Sequence, residues 1–314
     1  MKEIKPISLE GISTYPISER RSKVSISEFS LPWAKGGAFA QWLERLPGIL
    51  AARDFVQVVD RIADAVSSGN SVILAMGAHP IKLGLSPVII DLMERGVLTA
   101  VALNGAGIIH DCEIAMVGQT SEDVAAELGQ GRFGMAEETA ATLNKATKIG
   151  ADSNIGLGEA VGQLLVQKDF PYNKMSILAR AYELKVPATV HVALGTDIIH
   201  CHPSFDGAAA GKTSHHDFRV FAGQVAKLED GVFINLGSAV VLPEVFLKAL
   251  SVVRNLGYGV KKFTTVNMDF VRHYRPTTNV VERPTQNGGK GFHLIGHHEI
   301  MFPLLAAAVI ERLP

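Results

Sequence analysis

His110 and Asp111 stand side by side just after the glycine-rich turn Asn104-Gly105-Ala106-Gly107. A histidine titrates near neutral pH, and a carboxylate can fix its tautomer, so the pair suits general acid–base work. Adjacent residues seldom bond each other's side chains. His110 could therefore act while Asp111 caps the next helix, or both could simply cap it. Asp197 and Asp269 each follow an apolar run. An acidic side chain there can take a ribose hydroxyl pair or a substrate amine, and an ordinary turn residue would look the same. His110 and Asp197 are read as base and amine anchor, with Asp111 as the third catalytic candidate.

A metal is the other chemistry the side chains could support. His200, Cys201, His202, His215, His216 and Asp217 lie close in sequence. On an extended segment His200 and His202 point the same way, so with His215 they could reach one ion. No HExxH or CxxC spacing supports that reading, and polar loop histidines beside a ligand pocket are the alternative. A phosphate loop is excluded. Gly207-Ala208-Ala209-Ala210-Gly211-Lys212-Thr213 has three residues between its glycines, and the loop needs four for its amides to wrap a phosphate. Gly156-Leu157-Gly158 followed by Gly162 superficially matches a dinucleotide fingerprint. No strand precedes it, so it reads as a helix start with close packing, and Gly150, Gly156 and Gly158 suggest a mobile connection.

The elements that must position these groups start from Ser71–Glu113. Ser71–Met76 is an apolar run of buried-strand length, ended by Gly77, Ala78, His79 and Pro80. Leu85, Val88, Ile89, Leu92 and Met93 then recur with helical spacing, and Gly96 suits a helix C-cap. Leu98–Leu103 is a second strand, broken at Asn104 and Gly105. Two buried strands joined by a helix make a right-handed βαβ unit of a parallel sheet. Ligands sit beyond the carboxyl ends of such strands, which brings in Gly77, His79 and, more weakly, Lys82. The alternation resumes later: strands over 188–194, 232–236 and 262–266, helices over 177–184, 218–228 and 302–313, and a polar loop over 272–290. The expected fold is α/β, a doubly wound, mostly parallel Rossmann-like sheet with helices on both faces. Residues 1–35 are weakly periodic and read as an arm packed over its own domain or a neighbouring subunit; residues 36–314 read as a single domain.

Composition removes several function classes. The net charge of −1 leaves no basic field for nucleic acid. No apolar run reaches the roughly 18–20 residues of a membrane span, and the first residues lack a signal-peptide core. Two cysteines make no disulfide framework, which fits a reducing, cytoplasmic setting.

In the order of its motifs, roughly from residue 70 to 312, the sequence resembles the deoxyhypusine synthase family of NAD-binding proteins. The family's TTAGG turn is similar to Leu103–Gly107, with Asp111 matching its downstream acid. Its LTDGS segment is similar to Gly195-Thr196-Asp197. Its GGGVVKHH motif resembles the run from Gly237 and Ser238 to Pro243 and Glu244. Its INTA strand end resembles Val266-Asn267-Met268-Asp269, and its FPLL helix Phe302–Leu305. The family's catalytic lysine falls on Leu242, which has no amine and cannot form the imine intermediate. Its histidine pair falls on Pro243 and Glu244, and the glutamate of its glycine turn is replaced by Ile109 or His110. The run from Asn104 through His110 and Asp111 to Glu113 also resembles the archaeal-type ornithine cyclodeaminase branch of the same superfamily.

The resemblance implies bound NAD, held by Gly77, His79, Asn104, Gly105, Gly107, Gly237, Ser238, Asn267 and Asp269. It implies a small amine or amino-acid substrate, transient hydride transfer with imine chemistry, and a homotetramer or homodimer. It does not imply a true deoxyhypusine synthase. The alternatives are a non-catalytic nucleotide or metabolite binder of the same fold, and a histidine-metal hydrolase.

Overall fold

Short runs of Val, Ile, Leu and Ala, too short for helices and buried on both sides, set the strands. The computed structural model describes residues 4–314. Its sheet holds β1 (Val72–Met76), β2 (Ala100–Asn104), β3 (Ala188–His191), β4 (Val232–Leu236), β5 (Thr264–Asp269) and β6 (Lys290–Ile295). Their order is β3-β2-β1-β4-β5-β6, and every pair is parallel. The helices of eight residues or more are α1 (Leu50–Ser67), α2 (Ser86–Glu94), α3 (Gly105–Val117), α4 (Glu137–Ser153), α5 (Leu157–Lys168), α6 (Ile177–Leu184), α7 (Gly207–Val225), α8 (Val241–Asn255) and α9 (His298–Arg312).

Alternation along the strands divides the core in two. Val72, Leu74 and Met76 pack with α1 to α6 and α9 on one face. Ile73, Ala75 and Phe233 pack with α7 and α8 on the other, where Phe233 stacks on Phe246 with ring centroids 3.7 Å apart. The sheet is therefore doubly wound, as expected. Winding reverses between β1 and β4: the chain leaves β1 towards β2, then crosses back from β3 to β4. In sheets of this kind such a reversal marks where ligands meet the carboxyl ends of the strands.

Three expectations change. Residues 207–217 are not loop but the first turns of α7. Asp206 caps it, its Oδ1 accepting from the amides of Ala208 (2.9 Å) and Ala209 (3.0 Å), and three alanines follow. The residues around Gly150, Gly156 and Gly158 are no mobile connection. Gly150 is buried inside α4, and the amide of Gly158 donates to Asp217 at 2.9 Å. The same carboxylate oxygen also accepts from the amide of Val190 of β3, at 2.8 Å. With Ser214 bonding Val192 and Val190, α7 thus covers the free edge of β3. Finally, 272–290 is a run of short helical turns rather than plain loop, and it leads into β6, an edge strand too mixed in polarity to be seen in the sequence.

No helix among the described residues is long and apolar enough to cross a membrane.

Candidate active site

The carboxyl end of the sheet carries two adjoining groups of side chains. The first lies at the switch point. The ladder runs past the strands there: the Gly77 amide donates to Leu236 and the Gly237 amide to Met268. A Cβ on Gly77 would stand 2.6 Å from the carbonyl oxygen of Gly237, so only backbone fits at this wall. Gly237 itself has φ +64°, the left-handed region glycine tolerates. Ser238 turns the chain into α8, its Oγ accepting from the Leu242 amide at 3.2 Å.

Around these glycines stand Asp269, Phe270, His79 and His298. His298 is the first residue of α9 and is 2% exposed. Both its ring nitrogens are buried without a hydrogen-bond partner. Asp269 Oδ1 accepts from the Phe270 amide at 2.8 Å and lies 3.9 Å from His298 Nε2, too far for a bond. Burial lowers the pKa of His298, with the Asp269 carboxylate pulling the other way. The rings of His79 and Phe270 lie 5.9 and 6.0 Å from that of His298. The group thus gathers two aromatic faces, one carboxylate and an imidazole whose protonated form burial disfavours.

The second group lies one strand over. Asn104 ends β2 and caps α3, its Oδ1 accepting from the Gly107 amide at 3.0 Å. A Cβ on Gly105 would fall 1.8 Å from Asp197 Oδ2, so the carboxylate sits directly on this glycine. Burial raises the Asp197 pKa to about 6. His200 follows in the short turn Ile198–Cys201, with Nε2 3.8 Å from Asp197 Oδ2.

Several expected residues lie elsewhere. Asp111 was expected to be catalytic, but it is fully buried. Its oxygens accept from Ser176 Oγ (2.5 Å) and the amides of Ile177 (2.7 Å) and Leu178 (3.1 Å). It caps α6, far along the chain, and has no oxygen left for a substrate. His110 is on α3 and is engaged with residues of neither group. Its Nδ1 lies 2.6 Å from Thr120 Oγ1, whose own proton goes to Glu113. Burial raises the Glu113 pKa, but bonds from His110, Thr120 and Thr139 outweigh it and lower the net value. Asn267 lies beneath the site rather than in it. It is fully buried and accepts from Asn235 Nδ2 at 2.7 Å. Gly107 is buried within α3, and Lys82 is exposed on the short turn after β1.

The proposed metal ligands also part company. His202 bonds Glu137 (3.0 Å) and Ser204 (2.7 Å), while His215 lies on α7 against Phe218. Among the described residues, no three His, Cys, Asp or Glu side chains could share an ion. Lys212 is occupied as well, its ammonium donating to the carbonyl of Ala151. Sequence reading missed His298 and Phe270 altogether. The only local signal was the His297-His298-Glu299 start of the last helix, and nothing in it points to Gly237.

No family model and no curated protein matches the chain. Solved structures do. A conserved protein described as LOR/SDH, from Methanococcus maripaludis S2, superposes with TM-score 0.50 at 16% identity, over 88% of this chain and 71% of that one. A protein assigned as a deoxyhypusine synthase from Entamoeba histolytica gives 0.52 at 10% identity, over 90% and 96%. The ternary complex of AgrE with ornithine and NAD+ gives 0.52 at 14% identity, over 82% of this chain. The chain shares their fold. It spans only 33% of the AgrE chain, and at these identities the likeness is one of fold alone.

Proposed function

We propose that the crevice between β1 and β4 binds NAD, and that the protein acts on a small amine or amino acid by hydride transfer and imine chemistry. The observation that carries this is the wall at the switch point, where Gly77 and Gly237 admit backbone only and the unpartnered nitrogens of His298 border the slot. Gly77, Gly237 and Ser238 would hold the dinucleotide, with Asp269 accepting from its hydroxyls. When bound, the nicotinamide supplies a hydride acceptor. Phe270 and His79 exclude water on one side. Asp197, above Gly105 on the neighbouring strand, supplies the carboxylate at the substrate end. The resemblance puts the family's lysine at position 242, and the fully buried leucine there offers no amine for an imine.

Calorimetric titration with NAD+ tests the reading. Wild type should bind, and Gly237→Ala should weaken binding at least tenfold. The added methyl would stand 2.8 Å from His298 Nε2, on a left-handed backbone. Absence of binding to the wild type sinks the reading.

The same reading includes self-assembly and an N-terminal arm up to residue 35 on a body from 36 to 314. Ile7, Leu9, Ile12 and Ile17 are each more than half exposed, apolar area that a second copy would cover. Sedimentation of the intact chain should give at least a dimer; a single-chain mass would refute it.

A further inference from the structure

We propose that Asp197 and His200 together hold a water molecule that hydrolyses the substrate imine, so that the enzyme releases ammonia. This rests on the imine chemistry proposed above. His200 Nδ1 accepts from the amides of Gly195 (3.1 Å) and Asp197 (3.3 Å). A nitrogen that accepts two amides carries no proton, so the neutral ring bears its proton on Nε2. His200 is therefore a fixed donor. Its side chain is 4% exposed, and Phe205 packs against the ring at 4.6 Å.

Beside it, Asp197 Oδ2 is an acceptor. Both atoms are buried, neither has a hydrogen-bond partner in the protein, and they lie 3.8 Å apart. That is too long for a direct bond. One oxygen about 2.8 Å from each satisfies both, accepting from Nε2–H and donating to Oδ2. An ammonium group does not. It would satisfy the carboxylate but set its own protons against the His200 proton. The pair therefore selects a water or hydroxyl oxygen, and Asp197 is a base for water rather than the amine anchor the sequence suggested.

The chemistry balances with the nicotinamide as oxidant. With the nicotinamide bound, the amine would give up a hydride to it and a proton to solvent, leaving an imine. The water oxygen bonds to the imine carbon while one of its protons passes to Asp197 Oδ2 and on to the nitrogen, giving a carbinolamine. The hydroxyl proton then follows to the nitrogen as the C–N bond breaks, and a carbonyl compound and ammonia leave. In sum, an alkylammonium, NAD+ and water give a carbonyl, ammonium, NADH and a proton.

The test has arms with and without turnover. In the intact wild-type protein, long-range proton–nitrogen spectra should show His200 neutral with its proton on Nε2, assigned by loss of the signal in His200→Gln. A high-resolution crystal structure should place an oxygen within bonding distance of both Asp197 Oδ2 and His200 Nε2. An imidazolium, the other tautomer, or no bridging oxygen overturns the proposal. These readouts hold even if NAD+ fails to bind, so they separate this inference from the reading it rests on. With NAD+ and an amine that the wild type oxidises, Asp197→Asn should still reduce the nicotinamide in a single turnover while ammonia release falls at least 100-fold. Equal loss of both steps also overturns it.

Discussion

Gly105→Ala should cut amine-dependent turnover by at least 100-fold while leaving a folded protein. The new methyl would overlap Asp197 Oδ2, which stands 1.8 Å from where it must go. One side has to yield. Gly105 lies at the junction of β2 and α3, buried, and β2 is paired on both edges by β1 and β3. Asp197 sits instead on the connection between β3 and α7, outside the sheet. The carboxylate is the part that moves. Displacing a catalytic base by an ångström or more loses the alignment that makes it effective, and about 3 kcal/mol of barrier is a factor of about 100. Melting should show a smaller effect, about 1–2 kcal/mol, because the overlap is relieved in a connecting segment. Affinity for NAD+ should change little, since the atoms nearest the added methyl belong to Asp197 and not to Gly77, Gly237 or Ser238. Full turnover in this variant would remove Asp197 from the active site.

Much of the fold was legible because its strands are continuous apolar runs with both faces covered. β4 was read with its observed limits, and α6 likewise, since Ser176 gives a clear cap before it. What escaped was whatever a local window does not contain. Phe292 and Leu294 are buried in β6, but Lys290 and Ile295 at its ends are exposed, so the run lacks a strand pattern. His215, His216 and Asp217 read as loop because the glycines and histidines masked the cap at Asp206. The candidate site divides in the same way. Gly77, Gly105, Gly237, Asp197 and Asp269 follow from the rule that ligands meet the carboxyl ends of strands. His298 reaches Gly237, and His200 reaches Asp197, through crossovers and turns that no spacing encodes. The error at Asp111 is instructive for the same reason. An acid beside a histidine looks catalytic until the helix it caps, distant in sequence, folds against it.

Asp111→Ala should therefore destabilise the whole domain, by about 3–5 kcal/mol, rather than act on chemistry. The substitution leaves the Ser176 hydroxyl and the amides of Ile177 and Leu178 without their acceptor, all of them buried. α6 packs against α5, α2 and β3, so a loosened start to it spreads into the core below the site. Asp111→Asn should not rescue the loss, because an amide nitrogen would face a donor at one of the two oxygen positions. The pH dependence gives a second signature. Burial raises the Asp111 pKa to about 6, against the pull of its three hydrogen bonds, from an ordinary 3.8. The folded state thus binds this proton more tightly than the unfolded chain does. The stabilisation linked to that proton is complete below the unfolded value and is lost as pH rises through about 6. A shift of this size corresponds to about 3 kcal/mol. The stability gap between wild type and Asp111→Ala, measured by urea unfolding, should accordingly widen from about pH 7 to about pH 5. A variant that melts like wild type but fails to turn over would restore Asp111 to the catalytic set.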